Sequence, residues 1–213
     1  MANFRYLKLQ LEMFFRDNIL ILLFIIICFI VGVLAGSIAA NTLTYQQKEV
    51  LLDYLSGFIT EVNQLLTDQQ SLLAKQVIAA NLKFGLLFWI LGITMVGVIV
   101  IPFIIILRGF IMGFTATFLI REMFFKGVLL AVTSILPQNL LLIPGFILAG
   151  FLSFVFVFKL GAVMMSKRKY NLKSMLFQYS FSMLGITLVL FLAALIEVYI
   201  VPPLIRLVEG III

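Results

Sequence analysis

The residues able to do chemistry are few, and they sit in unusual company. Gln138 and Asn139 lie between Pro137 and Pro144 in the stretch SILPQNLLLIPG, surrounded by apolar chain. Arg121, Glu122 and Lys126 interrupt a second apolar stretch, between Phe110 and Leu136. Charge inside a membrane is costly, so such residues default to a function such as a transport path. Glu122 and Lys126 stand at i,i+4 with the acid first, the favourable order for a helical ion pair. Arg121 then needs another partner, and elimination leaves Glu197. The chain has no histidine and one cysteine, Cys28. The commonest general base and metal ligand is therefore missing, and no internal disulfide can form. Without a nucleophile–base pair, the reading is of a non-enzyme with no catalytic residue, metal or cofactor.

The elements that must position these residues are set by hydropathy. Hydrophobic residues make up 64% of the 213 and charged ones 11%, with a mean hydropathy of +1.24. A soluble domain of this size needs more charge to cover its surface. Several apolar runs are long enough to cross a hydrocarbon core of roughly 30 Å. The fold class is all-α: a polytopic helical membrane protein of about five spans, with a broken or polar-centred third span and an extracytoplasmic amphipathic helix. The net charge of +6 reflects cytoplasmic Lys and Arg; it does not suggest nucleic acid as a partner.

Residues 1–18 suit a cytoplasmic amphipathic tail, with Arg5, Lys8 and Arg16 among Phe4, Leu7, Leu11, Phe14 and Phe15. The first span is 19–40. Ser37-Ile38-Ala39 resembles a signal-peptidase site, but the apolar run exceeds the usual signal length and favours an uncleaved span. Residues 41–82 form the one substantial polar stretch. Within it Leu51, Leu55, Phe58, Val62 and Leu65 recur at helical spacing, an apolar stripe that needs a cover. Leaflet, bundle and partner are the three available covers. The remaining membrane bundle, 84–213, divides into spans at 84–107, 109–136, 140–165 and 175–201 with a short carboxy-terminal tail. Neither apolar half of 109–136 spans alone, since about 12 helical residues rise roughly 18 Å.

Orientation follows from the positive-inside bias. Lys167, Arg168, Lys169 and Lys173 lie in one acid-free connection, which places it and the amino terminus in the cytoplasm. The 41–82 segment, the Leu136–Asn139 corner and the carboxy terminus then face outward. The cluster at 167–169 reads as a topology determinant before it reads as a lipid site.

The order of elements resembles a known family. The matching pieces are Asn41-Thr-Leu-Thr-Tyr-Gln-Gln-Lys48, Asn81-Leu-Lys-Phe-Gly85, Trp89-Ile-Leu-Gly-Ile93 and Arg108-Gly-Phe-Ile-Met-Gly-Phe114. The most specific is Leu136-Pro-Gln-Asn-Leu140 with Ile143-Pro144 behind it. Across essentially its whole length the chain resembles the stage II sporulation protein M family. The resemblance implies a cell-membrane protein of the sporulation septum and engulfing mother-cell membrane. It implies the stage II sporulation proteins D and P, peptidoglycan hydrolases, as partners in septal thinning and engulfment. The family member recruits or holds them and is not regarded as the hydrolase. In the wider group of related membrane proteins the corner reads more like Pro-His-Gly followed by Glu. Here Gln138, Asn139 and Leu142 stand at those places, so acid–base or metal chemistry does not carry over.

Each feature also has a plain reading. Pro137, Gln138, Asn139 and Pro144 form a structural corner in which the amides serve backbone groups freed by proline, or cap a helix starting near Leu140. Gly32-Val-Leu-Ala-Gly36 and Gly109-Phe-Ile-Met-Gly113 permit close helix approach, within the bundle ahead of any homo-oligomer. Two functions compete. One is a scaffold that binds its partners through Leu51, Leu55, Phe58 and Val62 and otherwise contacts membrane lipids. The alternative is a transporter or lipid-handling protein using the charged third-span region.

Overall fold

The computed structural model describes residues 12–54, 57, 70–165, 171–201 and 203. Among them every regular element is helical: α1 Ile19–Asn41, α2 Gln70–Ile93, α3 Gly97–Leu130, a π-helical turn Ala131–Ile135, α4 Leu136–Met165 and α5 Leu172–Tyr199. Short helical segments at 12–17 and 45–54 flank α1. Five helices are long and apolar enough to cross a membrane: Ile19–Asn41, Ala74–Ile93, Gly97–Glu122, Leu136–Met164 and Leu172–Tyr199. The protein is an all-α, multi-pass helical bundle.

Inter-helix contacts fix the directions. Gly32 approaches Ile106, Gly36 approaches Phe110 and Gly113 approaches Val33, so α1 and α3 run parallel. Gly97 meets Val157 and Gly150 meets Ile105, while Arg108 lies over Phe146; α3 and α4 are antiparallel. Gly145 meets Leu190 and Phe156 stacks on Tyr179, which makes α4 and α5 antiparallel as well. Gly85 meets Thr187 and Trp89 reaches Ser180, so α2 and α5 are antiparallel too, and the five spans alternate in direction. One end of the bundle carries Ile19, the 94–96 turn and the α4–α5 connection. The other carries Asn41, Gln70, Glu122, Leu136 and Tyr199.

Helix α4 is the centre, with 61% of its span buried against 22–28% for the other four. Phe146, Ala149, Phe151, Ser153 and Val157 on α4 are at most 1% exposed, as are Phe88, Ile101 and Ile105 on α2 and α3. The outward faces of α1 and α5 are rows of exposed Leu, Ile and Phe, the expected surface where lipid is the solvent.

The α1–α3 pair shows why its glycines are needed. A Cβ on Gly32 would stand 2.1 Å from Ile106 O, one on Gly36 2.1 Å from Phe110 O, one on Gly109 2.3 Å from Phe29 O and one on Gly113 2.1 Å from Val33 O. The two G-x-x-x-G stretches therefore face each other within one chain. Backbone meets backbone, and Cα–H groups come close enough to face carbonyls across the seam. Thr117 Oγ1 donates to Ser37 Oγ at 3.0 Å farther along the same seam.

Several boundaries differ from those the sequence suggests. The second and third spans divide at Thr94–Val96, and Arg108 lies near the middle of a helix. The break hides in apolar sequence because its chemistry is local: Thr94 N–H and Oγ1 both donate to Leu91 O. Gly97 follows, where a Cβ would stand 2.2 Å from Leu91 O. The second break also moves. Within α3 the non-helical residue is Phe124, at φ 48°, ψ −127°, and the chain reverses there, just beyond Glu122. Leu136–Asn139 is not the corner. It opens α4 directly from the π turn, whose wider spacing accommodates Pro137, a residue without an N–H to donate. Pro144 likewise lies inside α4.

Candidate functional site

At the Asn41 end, three elements are tied together. Arg121 donates to Asn41 Oδ1 across the α1–α3 seam. Lys48, on the 45–54 segment, pairs with Glu122 Oε1 at 2.6 Å, with both side chains largely covered. Thr44 starts that segment by donating its N–H to Gln47 Oε1 at 2.9 Å, the glutamine arm of a capping box. The segment is thereby held on the bundle while Tyr45, Val50 and Tyr54 stay 81%, 68% and 79% exposed. Leu51 is half-buried and shares a shallow hollow with Leu43 and Val50. Of the other residues proposed for partner binding, Leu55, Phe58 and Val62 lie outside the described residues.

This arrangement revises the charged triplet. Arg121 and Glu122 stand at the end of the Gly97–Glu122 span, level with Asn41, and not half-way through it. Glu122 reaches back to Lys48. Phe124 interrupts the helix between Glu122 and Lys126, which removes the geometry an i,i+4 pair requires; the Lys126 side chain lies outside the described set. Two of the charges on which a transport path would be built, Arg121 and Glu122, are thus ties between segments of the chain.

A separate polar group lies within the bundle. Glu197 on α5 lies close to Asn81 on α2 and within electrostatic range of Arg108 on α3. Arg108 lies 5.1 Å from the Phe146 ring centroid and 5.9 Å from that of Phe84, within cation–π range. Asn81 is 6% exposed and also donates to Val77 O at 3.1 Å. Four helices therefore bring Asn81, Arg108, Phe146 and Glu197 into one region, and the cation acting on Glu197 is Arg108, where elimination suggests Arg121. Sequence reading missed Arg108 because it took the residue as a span-ending charge; the apolar run continuing beyond it was the available signal.

Nearer the Ile19 end, Ser153 of α4 donates to Phe88 O at 2.9 Å and meets Tyr179 OH at 3.1 Å. Tyr179 OH lies 2.9 Å from Phe88 O and 3.1 Å from Trp89 O, and Trp89 Nε1 donates to Ser180 Oγ at 3.0 Å. A Cβ on Gly92 would stand 2.1 Å from Tyr179 OH, so the glycine admits the phenol. Both partners of Ser153 are a carbonyl and a phenol, an arrangement that joins helices and does not activate a nucleophile. Among the described residues no group of three or more His, Cys, Asp or Glu could hold a metal. At the proline stretch, Asn139 Nδ2 donates to Ile135 O at 2.7 Å, while Gln138 Oε1 is buried without a hydrogen-bond partner.

A family model described as Stage II sporulation protein M matches residues 25–202. The chain belongs to the stage II sporulation protein M family. The match covers the α1–α3 glycine seam, the Asn41 end, Arg108 and Glu197, which makes the protein a sporulation-related membrane protein with no catalytic family indicated. No curated protein and no solved structure matches the chain.

Proposed function

We propose that the protein is a membrane scaffold of the engulfment machinery, which recruits and holds peptidoglycan hydrolases of the stage II sporulation D and P classes at the septum. The observation that carries this reading is the 45–54 segment, fastened by Lys48–Glu122 with Tyr45, Val50 and Tyr54 left exposed. Tyrosine offers large contact area at low entropic cost and is enriched where proteins meet. The basic residues Lys167, Arg168, Lys169 and Lys173 belong to the opposite end. By the positive-inside bias that end is cytoplasmic, so the segment faces the compartment in which peptidoglycan lies.

The test is a Tyr45→Ser/Val50→Ser/Tyr54→Ser variant, whose changes are confined to exposed positions. Both hydrolases should be lost from affinity-purified complexes while membrane insertion and protein level stay unchanged. Undiminished recovery of both would remove this surface from the account.

A further inference from the structure

A cleft of about 480 Å³ opens on one side of α4. Around the central α4, helix α1 packs on α3 and α5 packs on α2, but α1 and α5 make no substantial contact with each other. The ring of helices is open there. The floor of the opening is α4 from Leu148 to Lys159, one wall is α5 from Met175 to Ile186, and Phe14 and Phe15 of the 12–17 segment form the other. Phe15 stacks on Phe151 at 5.5 Å, and Lys159 Nζ lies 4.9 Å from the Phe14 ring centroid.

The chemistry along the cleft is graded. From Lys159 to Leu148 it runs about 16 Å at 1.5 Å per helical residue, half of a roughly 30 Å hydrocarbon core. That is the depth of one leaflet. Exposed Lys159 stands at the shallow end and Leu148 and Ile186 at the deep end. Between them Gln178 and Ser182, one helical turn apart on α5, line the cleft and are exposed. Neither makes a hydrogen bond among the described residues. Exposed, unpartnered amide and hydroxyl groups at this depth in hydrocarbon require an acceptor from outside the chain.

We infer that this cleft seats one anionic glycerophospholipid of the leaflet at the Ile19 end. Its phosphate meets Lys159, its ester carbonyls accept from Gln178 and Ser182, and one acyl chain lies along Phe156, Leu152 and Leu148. The order of basic, polar and apolar groups along the cleft matches the order of groups down such a lipid. The same end carries the chain's basic connection, and anionic lipid is concentrated in the cytoplasmic leaflet that such residues face. Phe14 and Phe15 close the cleft from the side, so the bound lipid fastens the 12–17 segment to α4.

The test uses the full chain in phosphatidylcholine vesicles doped with phosphatidylglycerol that carries a photoactivatable group on its acyl chain. Crosslinks in the unaltered protein should map to 148–156 and 178–186; crosslinks spread over the exposed faces of α1 and α3 would overturn the site. Lys159→Gln should lower crosslinking by about fivefold, the factor one lysine near an anionic surface supplies. Lys173→Gln, which is exposed and outside the cleft, should leave it unchanged. An equal loss in both variants would mean general surface charge and would overturn the assignment. Ser182→Trp should fill the cleft and abolish crosslinking there, and undiminished labelling in it would do the same. Competition by unlabelled phosphatidylcholine as effective as that by phosphatidylglycerol would overturn the headgroup assignment.

Discussion

Replacing Gly36 with alanine separates two effects of known size. In a helix interior, alanine is favoured over glycine by about 1 kcal/mol, so propensity alone stabilises. Against this, the new Cβ would stand 2.1 Å from Phe110 O and 2.8 Å from Phe114 N, where ordinary contact begins at 3.4 Å. Those atoms are backbone and cannot rotate aside, so α1 and α3 must move apart by more than ~1 Å along a seam that depends on close approach. Overpacking of this kind costs about 1–3 kcal/mol, which exceeds the propensity gain over most of its range. Gly185 is the internal control, because a Cβ there meets nothing within 4 Å and only the gain remains. The expected outcome is opposite signs: Gly185→Ala unchanged or more stable, Gly36→Ala less stable, a difference of about 1–3 kcal/mol, since the propensity gain is common to both. Unfolding of detergent-solubilised protein by a denaturing detergent reads the stability. A Ser37→Cys/Thr117→Cys disulfide, placed where the two hydroxyls are 3.0 Å apart, reads the seam and should form in lower yield beside Gly36→Ala. If both alanine variants were equally stable and the disulfide yield unchanged, the reasoning about the seam would be wrong.

Three other outcomes follow from the same structure. Tyr179→Phe removes the hydroxyl shared by Ser153, Phe88 and Trp89 and should destabilise by about 1 kcal/mol, with roughly 1.7 as the ceiling for membrane hydrogen bonds; the same unfolding assay checks it. Arg108→Gln and Glu197→Gln should each destabilise, and the double variant should lose less than the two together by about 1–3 kcal/mol in a double-mutant cycle. Additive losses would mean the two charges do not interact. Phe124→Gly should be neutral or stabilising by up to about 1–3 kcal/mol, since φ 48° is strained for any other residue; Phe124→Ala should show no such gain when compared in parallel.

Much of the architecture was legible because bilayer thickness imposes length and composition on every crossing segment. The all-α class, five apolar helices, and the close-approach role of Gly32, Gly36, Gly109 and Gly113 could all be read from residue type and spacing. The boundaries at 94–96 and Phe124 could not. The first is a turn made of Thr94, Met95 and Val96, with a lone threonine and no charge or proline to separate it from the spans on either side. The second is a strained φ at a phenylalanine, a residue whose type gives no warning of it. Misplacing the first boundary shifted the second, and that shift carried Arg121 and Glu122 into mid-membrane and Arg108 out of it. Charge partners were illegible for a related reason: Lys48 and Glu122, which form an ion pair, and Arg108 and Glu197, which act on each other electrostatically, are far apart in sequence, and only helix directions bring them together. The proline stretch misled differently, because Pro137 and Pro144 are accommodated inside continuous helix and do not end it.

The central claim is that the Asn41 end, with its tethered 45–54 segment, is where the hydrolases are held. Photocrosslinkable residues placed one at a time at Tyr45, Val50 and Tyr54 in sporulating cells test it most directly, with exposed Leu192 on α5 as a lipid-facing control. The account predicts crosslinks to the stage II sporulation proteins D or P from the three segment positions and none from Leu192. Crosslinks to either hydrolase from Leu192 alone, or from none of the four positions, would contradict it.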